Sequence, residues 1–288
     1  MKEVNQLIHL TQDISRLKSI LKNGLYTSYN KEIFADKNVL IPMISFCNVL
    51  FRDLGENEVV DYGSYGIVID RTYGIEILGL NPVLYLYSNS VVENSFKYNY
   101  ESTALPQALE VIKEFYQGFN CEKVTDHILI KPLSLEVKNL INSIDKNTSD
   151  NLILSLKDLF TKLFENTVTQ VVLSKPYKVF TKKGIEKIAF NEREWRKSYF
   201  NLPFYTEFKP TGEINEDYSV WIGTNKPHFK DKKYTLNIPL DKIKYIIVKN
   251  IEDIDEILKF ISTNKIGFID KEQIKTLDQL KEIEHSSS

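Results

Sequence analysis

The chain has 288 residues, of which 42% are hydrophobic and 12% aromatic, with 37 basic and 39 acidic side chains giving a net charge of −2. That length and apolar content support a packed core in one large domain or two small ones, and exclude a disordered chain. Near-neutral charge excludes a general electrostatic affinity for nucleic acid or an anionic membrane, so a nucleic-acid role would need a local basic patch.

The N-terminal MKEVNQLIHLTQDI has no continuous apolar stretch of the kind a secretory leader needs. No window approaches the ~18 apolar residues that span a bilayer. A reduced, cytoplasmic protein with no membrane segment is therefore expected. Of the two cysteines, Cys47 lies in an apolar run and reads as a small hydrophobe, while a bond to Cys121 is left open.

Gln6–Thr11 reads as a strand. Asp13–Asn23 carries Ile14, Leu17, Ile20 and Leu21 at helical spacing, with Asp13 or Thr11 as cap and Gly24 as the stop. Val39–Phe46 is a strand and Gly55–Gly63 a polar loop. Tyr65–Asp70 is a strand, or the start of a helix reaching Gly74. Pro82–Tyr87, β-branched and aromatic after Asn-Pro, is a buried strand.

Leu105–Phe119, Leu133–Ile144 and Asp150–Glu165 have helical patterns. Strand texture returns at Val168–Val172, Tyr177–Thr181 and Lys187–Phe190. Tyr218–Ile222 and Tyr234–Ile238 alternate with a period of two, and Lys244–Lys249 is a continuous buried strand. Glu252–Ser262 is an amphipathic helix, while 264–284 has no decisive pattern. The sum is an α+β protein with a mixed, mostly antiparallel sheet. Residues 1–103 and 167–284 form a single core domain, 104–166 a helical insertion, and 285–288 (HSSS) a disordered tail.

No phosphate loop, nucleophile elbow or metal-ligand spacing occurs, and the four histidines are scattered. The candidate groups are therefore isolated ones. His9 and Thr11 share a strand face, and the imidazole would reach a ligand hydroxyl or a nearby carbonyl. Tyr62 and Tyr65 flank Gly63 and Ser64, as stacking groups or as rim residues over a turn. Glu192, Glu194 and Arg196 alternate, so in a strand all three line one face. Two close carboxylates serve as base and stabiliser. The alternative is a charge ladder in which Arg196 neutralises Glu194 and Trp195 anchors the strand.

The order LIPMISFC, polar loop, YGSYGIVID, NPVLYLY is unusual. With LIHLTQDISRLKSILKNGL before it, and NEREWR, IPLDKIKYIIVKN and QIKTLDQL after it, the chain resembles the AbiGi family of abortive phage-infection proteins. That resemblance implies a phage-defence role as the antitoxin side of a two-gene system, with a cognate toxin or phage-derived protein as partner. A looser similarity, strand with His and Thr, short helix, Gly-Leu, is to ADP-ribosyltransferase-like domains of the DarT type. It implies NAD as cofactor, held by His9, Thr11, Tyr62 and Tyr65, with Glu194 and Glu192 catalytic at the ribose. Whether the chain is an enzyme, and its oligomeric state, stay open on sequence alone.

Overall fold

In a computed structural model the described residues are 4–34, 37–102, 169–180, 186–199, 205–207, 229 and 231–286. They fall into two units. One comprises Met1–Ser88, Leu173–Glu207 and Asn215–Ser288, and the other Asn89–Val172 and Phe208–Ile214.

The first unit opens with β1 (Leu7–Thr11), α1 (Ile14–Asn23), β2 (Leu25–Tyr26), β3 (Ser28–Phe34) and β4 (Lys37–Cys47). There follow α2 (Glu56–Tyr62), β5 (Tyr65–Ile69), α3 (Arg71–Glu76), β6 (Asn81–Pro82) and β7 (Leu84–Leu86). The second unit contains α4 (Val91–Ser102), begun by Ser90, whose hydroxyl accepts from Glu93 N–H at 3.1 Å. The first unit resumes with β8 (Ser174–Pro176), β9 (Lys178–Phe180), β10 (Glu186–Ile188), β11 (Glu194–Ser198), β12 (Tyr205–Thr206) and β13 (Thr235–Leu236). It closes with β14 (Ile243–Val248), α5 (Asp253–Asn264), β15 (Ile274–Thr276) and α6 (Leu277–Ser286).

The main sheet has nine strands among the described residues, with the path β15-β14-β5-β1-β4-β11-β6 and with β3 and β12 also on β4. Only β14–β15 is parallel; the other pairings in this sheet are antiparallel. The α+β architecture with a mixed, mostly antiparallel sheet is thus present. Its two faces carry different cores. Leu7, Phe46, Ile67 and Ile246 pack with Leu17 of α1 and Ile257 of α5 on one face. Ile8, Val49, Leu54, Val68 and Ile247 pack with Leu280 of α6 on the other. Each such side chain fully buried contributes roughly 1.5–3 kcal/mol. Alternation along β1 and β5 assigns neighbours to opposite cores, which fixes the register.

Several expectations from the pattern change. Gly55–Gly63 is not a loop: the Glu58 carboxylate accepts from Gly55 N–H at 3.1 Å and starts α2. Gly63, at φ 108, ends it, and a Cβ there would lie 2.1 Å from the Thr11 carbonyl oxygen. Pro82–Tyr87 is not one buried strand. It splits into β6, on β11, and β7, parallel to β8, with Leu84 50% and Tyr87 57% exposed. Proline has no N–H to donate to a ladder, so this segment suits an edge.

Residues 169–172 are helical rather than extended, although Val171 and Val172 are buried. The strand expected over Lys187–Phe190 stops at Ile188, and Ala189–Glu192 forms a 3-10 turn. β3, which the pattern did not announce, pairs with β4 along its whole length. The undecided stretch 264–284 supplies β15 and most of α6, which continues through His285 to Ser286. The helical insertion at 104–166, the strand at Tyr218–Ile222 and Cys121 lie outside the described residues. Among the described residues no helix is long and apolar enough to cross a membrane.

Candidate functional site

β4 is the axis of the site. At Cys47 it pairs with Ile8 of β1 on one edge and Glu194 of β11 on the other. Beyond Ile8 the two strands β1 and β4 part. The His9 ring, not the backbone, reaches the Ser45 carbonyl, with Nδ1 at 2.8 Å. A carbonyl only accepts, so Nδ1 carries the proton. Burial holds the imidazole below its ordinary value, against the opposing effect of the Ser45 carbonyl, so His9 is neutral. Its ring also packs against Phe46, with centroids 5.5 Å apart.

Where the strands part, a cavity of about 480 Å³ opens, walled by β1, β3, β4, α2, β8 and the turn before β11. At one side of it lies a buried charge network. Arg196, 0% exposed, donates from Nε to Glu194 Oε1 at 2.8 Å and from Nη2 to Glu32 Oε1 at 2.8 Å. Lys175 donates to Glu192 Oε2 and Glu194 Oε2, both at 2.9 Å. The Tyr62 hydroxyl donates to Glu192 Oε1 at 2.6 Å, and Glu194 N–H donates to the Tyr85 hydroxyl at 2.6 Å.

Burial alone would raise the Glu194 carboxyl. The Arg196 and Lys175 charges outweigh it and hold the group at about 2. Burial likewise works against the Lys175 ammonium, but Glu194, Glu32 and Glu192 keep it well above its usual range. For Glu32 burial prevails over Arg196 and Lys175, and its carboxyl is raised. The network thus holds its cations and Glu194 ionised, while the Glu32 carboxyl is shifted toward its protonated form.

The sequence candidates therefore separate. Glu192, Glu194 and Tyr62 come together, but through Lys175 rather than through one strand face. Glu192 ends the 3-10 turn and Arg193 is left-handed at φ 43, so β11 begins only at Glu194. Within β11, Glu194 and Arg196 do share a face, and Trp195 packs against the larger core. His9 lines the cavity but is engaged by Ser45. Thr11 is in register with Tyr65, whose hydroxyl donates to Asp253 at 3.1 Å. That contact belongs to the α5 face, and neither residue lines the cavity.

Of the six residues singled out in the sequence for binding and chemistry, His9, Tyr62, Glu192 and Glu194 line the cavity, and Thr11 and Tyr65 do not. Lys175, Glu32 and Tyr85 were missed in the sequence. Tyr85 and Lys175 sit in the three-residue strands β7 and β8, which pair with each other across a long stretch of sequence, and Glu32 bonds Arg196 164 positions away; only the period-two pattern of SYNKEIF (Ser28–Phe34) points to Glu32.

Comparison with known proteins bears on the role. The family model described as abortive phage resistance protein AbiGi, antitoxin, matches residues 20–249. No curated protein and no solved structure matches the chain. The family match spans β2 to β14 and contains Lys175, Glu192, Glu194 and Arg196. It covers about four-fifths of the sequence. The chain belongs to the AbiGi family.

Proposed function

We propose, with membership of that abortive phage resistance family as the premise, that this chain is the antitoxin of a two-component defence system. It acts by holding a cognate toxin inactive rather than by catalysing a reaction. The observation that carries the reading is the family match over residues 20–249, whose description names the antitoxin. The site geometry is consistent with it. Glu194 is bonded by both Arg196 and Lys175, and Glu192 by Lys175 and Tyr62. A general base needs a pKa near the working pH, and a carboxyl held at about 2 does not meet that need.

The test is expression of the neighbouring gene alone, of this chain alone, and of both together. Growth arrest by the neighbour, relieved by this chain through a complex that survives size-exclusion chromatography, is the expected result. Growth arrest by this chain alone, relieved by the neighbour, would reverse the assignment. A chain that relieves arrest without forming a complex would remove the binding mechanism.

A further inference from the structure

We propose that the cavity beside the charge network binds an organic cation, an aliphatic stem ending in an ammonium or guanidinium group. At about 480 Å³ the space is of ligand size, within the roughly 300–1,000 Å³ usual for small-molecule pockets. Its lining combines two chemistries. Ile8, Met43, Val49, Leu54 and Val179 contribute apolar surface. Glu32, Asp53, Glu58, Asp61, Glu192 and Glu194 bring six carboxylates, against the amines of Lys31 and Lys175 and the buried Arg196 guanidinium that bonds Glu32 and Glu194 from behind the lining.

Lys175 is clamped between Glu192 and Glu194, each side chain of the three being at most 10% exposed. It is not available to an incoming anion. Charge at this depth acts through a low effective dielectric, so the excess of carboxylate is felt strongly inside. The Cys47 thiol on the cavity wall registers it. Burial first, and the Glu192 charge next, push that thiol up to about 12.

The placement of the acids selects among cations. Among the described residues no three His, Cys, Asp or Glu side chains are positioned to hold a metal ion. The acceptors are instead spread round the wall: Glu32 on β3, Asp53 just before α2, Glu58 and Asp61 on α2, Glu192 and Glu194 at β11. Ammonium and guanidinium groups carry several divergent N–H donors and no acceptor, and their stems pack on apolar surface. A cavity lined by both carboxylates and apolar side chains is complementary to that shape.

Two sources supply this chemistry: a free polyamine, or a lysine or arginine side chain of a protein partner. The inference does not depend on the antitoxin assignment, and its test fails separately. Calorimetric titration of the full chain with agmatine and spermidine is expected to show saturable binding, with none for NAD or AMP. Asp61→Asn combined with Glu58→Gln should weaken it about tenfold or more, the usual effect of losing a charge-assisted hydrogen bond. The amide oxygen that Glu58→Gln introduces still offers Gly55 N–H an acceptor, so α2 keeps its start. Asp53→Asn, at an exposed position, is the variant whose fold is least at risk and should weaken binding severalfold. Asp241→Asn, outside the cavity, should change nothing.

Displacement of the toxin from its complex by agmatine assigns the natural cation to a partner's side chain. Agmatine bound without displacement assigns it to a free amine. Absence of saturable amine binding, equal affinity in the parent and the cavity variants, or binding of the anions instead would overturn the proposal.

Discussion

Replacing Glu194 with glutamine separates a structural carboxylate from a chemical one. The change keeps the shape and removes the charge that Arg196 and Lys175 share. The carboxyl lies at about 2 in the folded chain against an ordinary 4.5, which at neutral pH corresponds to about 3 kcal/mol of stabilisation. The side chain is only 9% exposed, so solvent screening removes little of this. Breaking one partner out of a buried pair costs roughly 3–5 kcal/mol in other proteins, which agrees. For a unit of this size the melting temperature should fall by roughly 6–12 °C.

The sign of the pH dependence follows from the direction of the shift. A depressed folded value gives stability that is present above 4.5 and lost as pH falls toward about 2. Thermal and urea melts of the parent and Glu194→Gln should therefore differ by a constant amount above pH 4.5 and converge below it. Phage protection should follow the folded fraction. A variant as stable as the parent, or a gap that persists unchanged at low pH, would refute the ion-network account. Full stability with complete loss of protection would show that the carboxylate acts on a ligand.

Three further outcomes follow from the geometry. Gly63→Ala should cost at least about 2 kcal/mol in urea denaturation, because φ is 108 and the new Cβ would meet Thr11 O; an equally stable variant would place the α2 stop elsewhere. His9 is held below its ordinary 6.5 by burial, so its contribution is present above 6.5 and lost as pH falls; His9→Gln should flatten the stability profile below pH 6.5. In a Cys121→Ser background, Cys47, half-buried on the cavity wall with its thiol pushed up to about 12 and its Sγ–H donating to Ile8 O at 3.4 Å, should react slowly with a disulfide reagent at neutral pH and faster as pH rises; fast labelling at neutral pH would contradict the raised thiol.

Local signals were legible where one short segment contained its own explanation. Asp13 accepts from Arg16 N–H at 2.9 Å and Gly24 stands at φ 82, so α1 could be read with its start and its stop. The β-branched run of β14 and the apolar spacing of α5 were equally plain, because burial on one or both faces leaves a period in the chain itself. The order of motifs from Leu40 to Tyr87 was distinctive enough to indicate the family.

The site was a different matter. Glu32 and Arg196 are 164 positions apart, and Tyr62 and Glu192 are 130 apart. Charged residues look alike in sequence whether they end in water or in a buried bond, since the choice depends on which distant strand arrives beside them. Glu192 and Glu194 were noticed as a pair, but the lysine that joins them comes from β8, an edge strand that pattern alone did not reveal. Periodicity thus determined which segments bury a face and roughly where they stop. The sheet order decided which carboxylates lose their water, which cations stand against them and where the strands part to leave a cavity, because those are long-range Coulombic and packing choices that no local stretch of chain encodes.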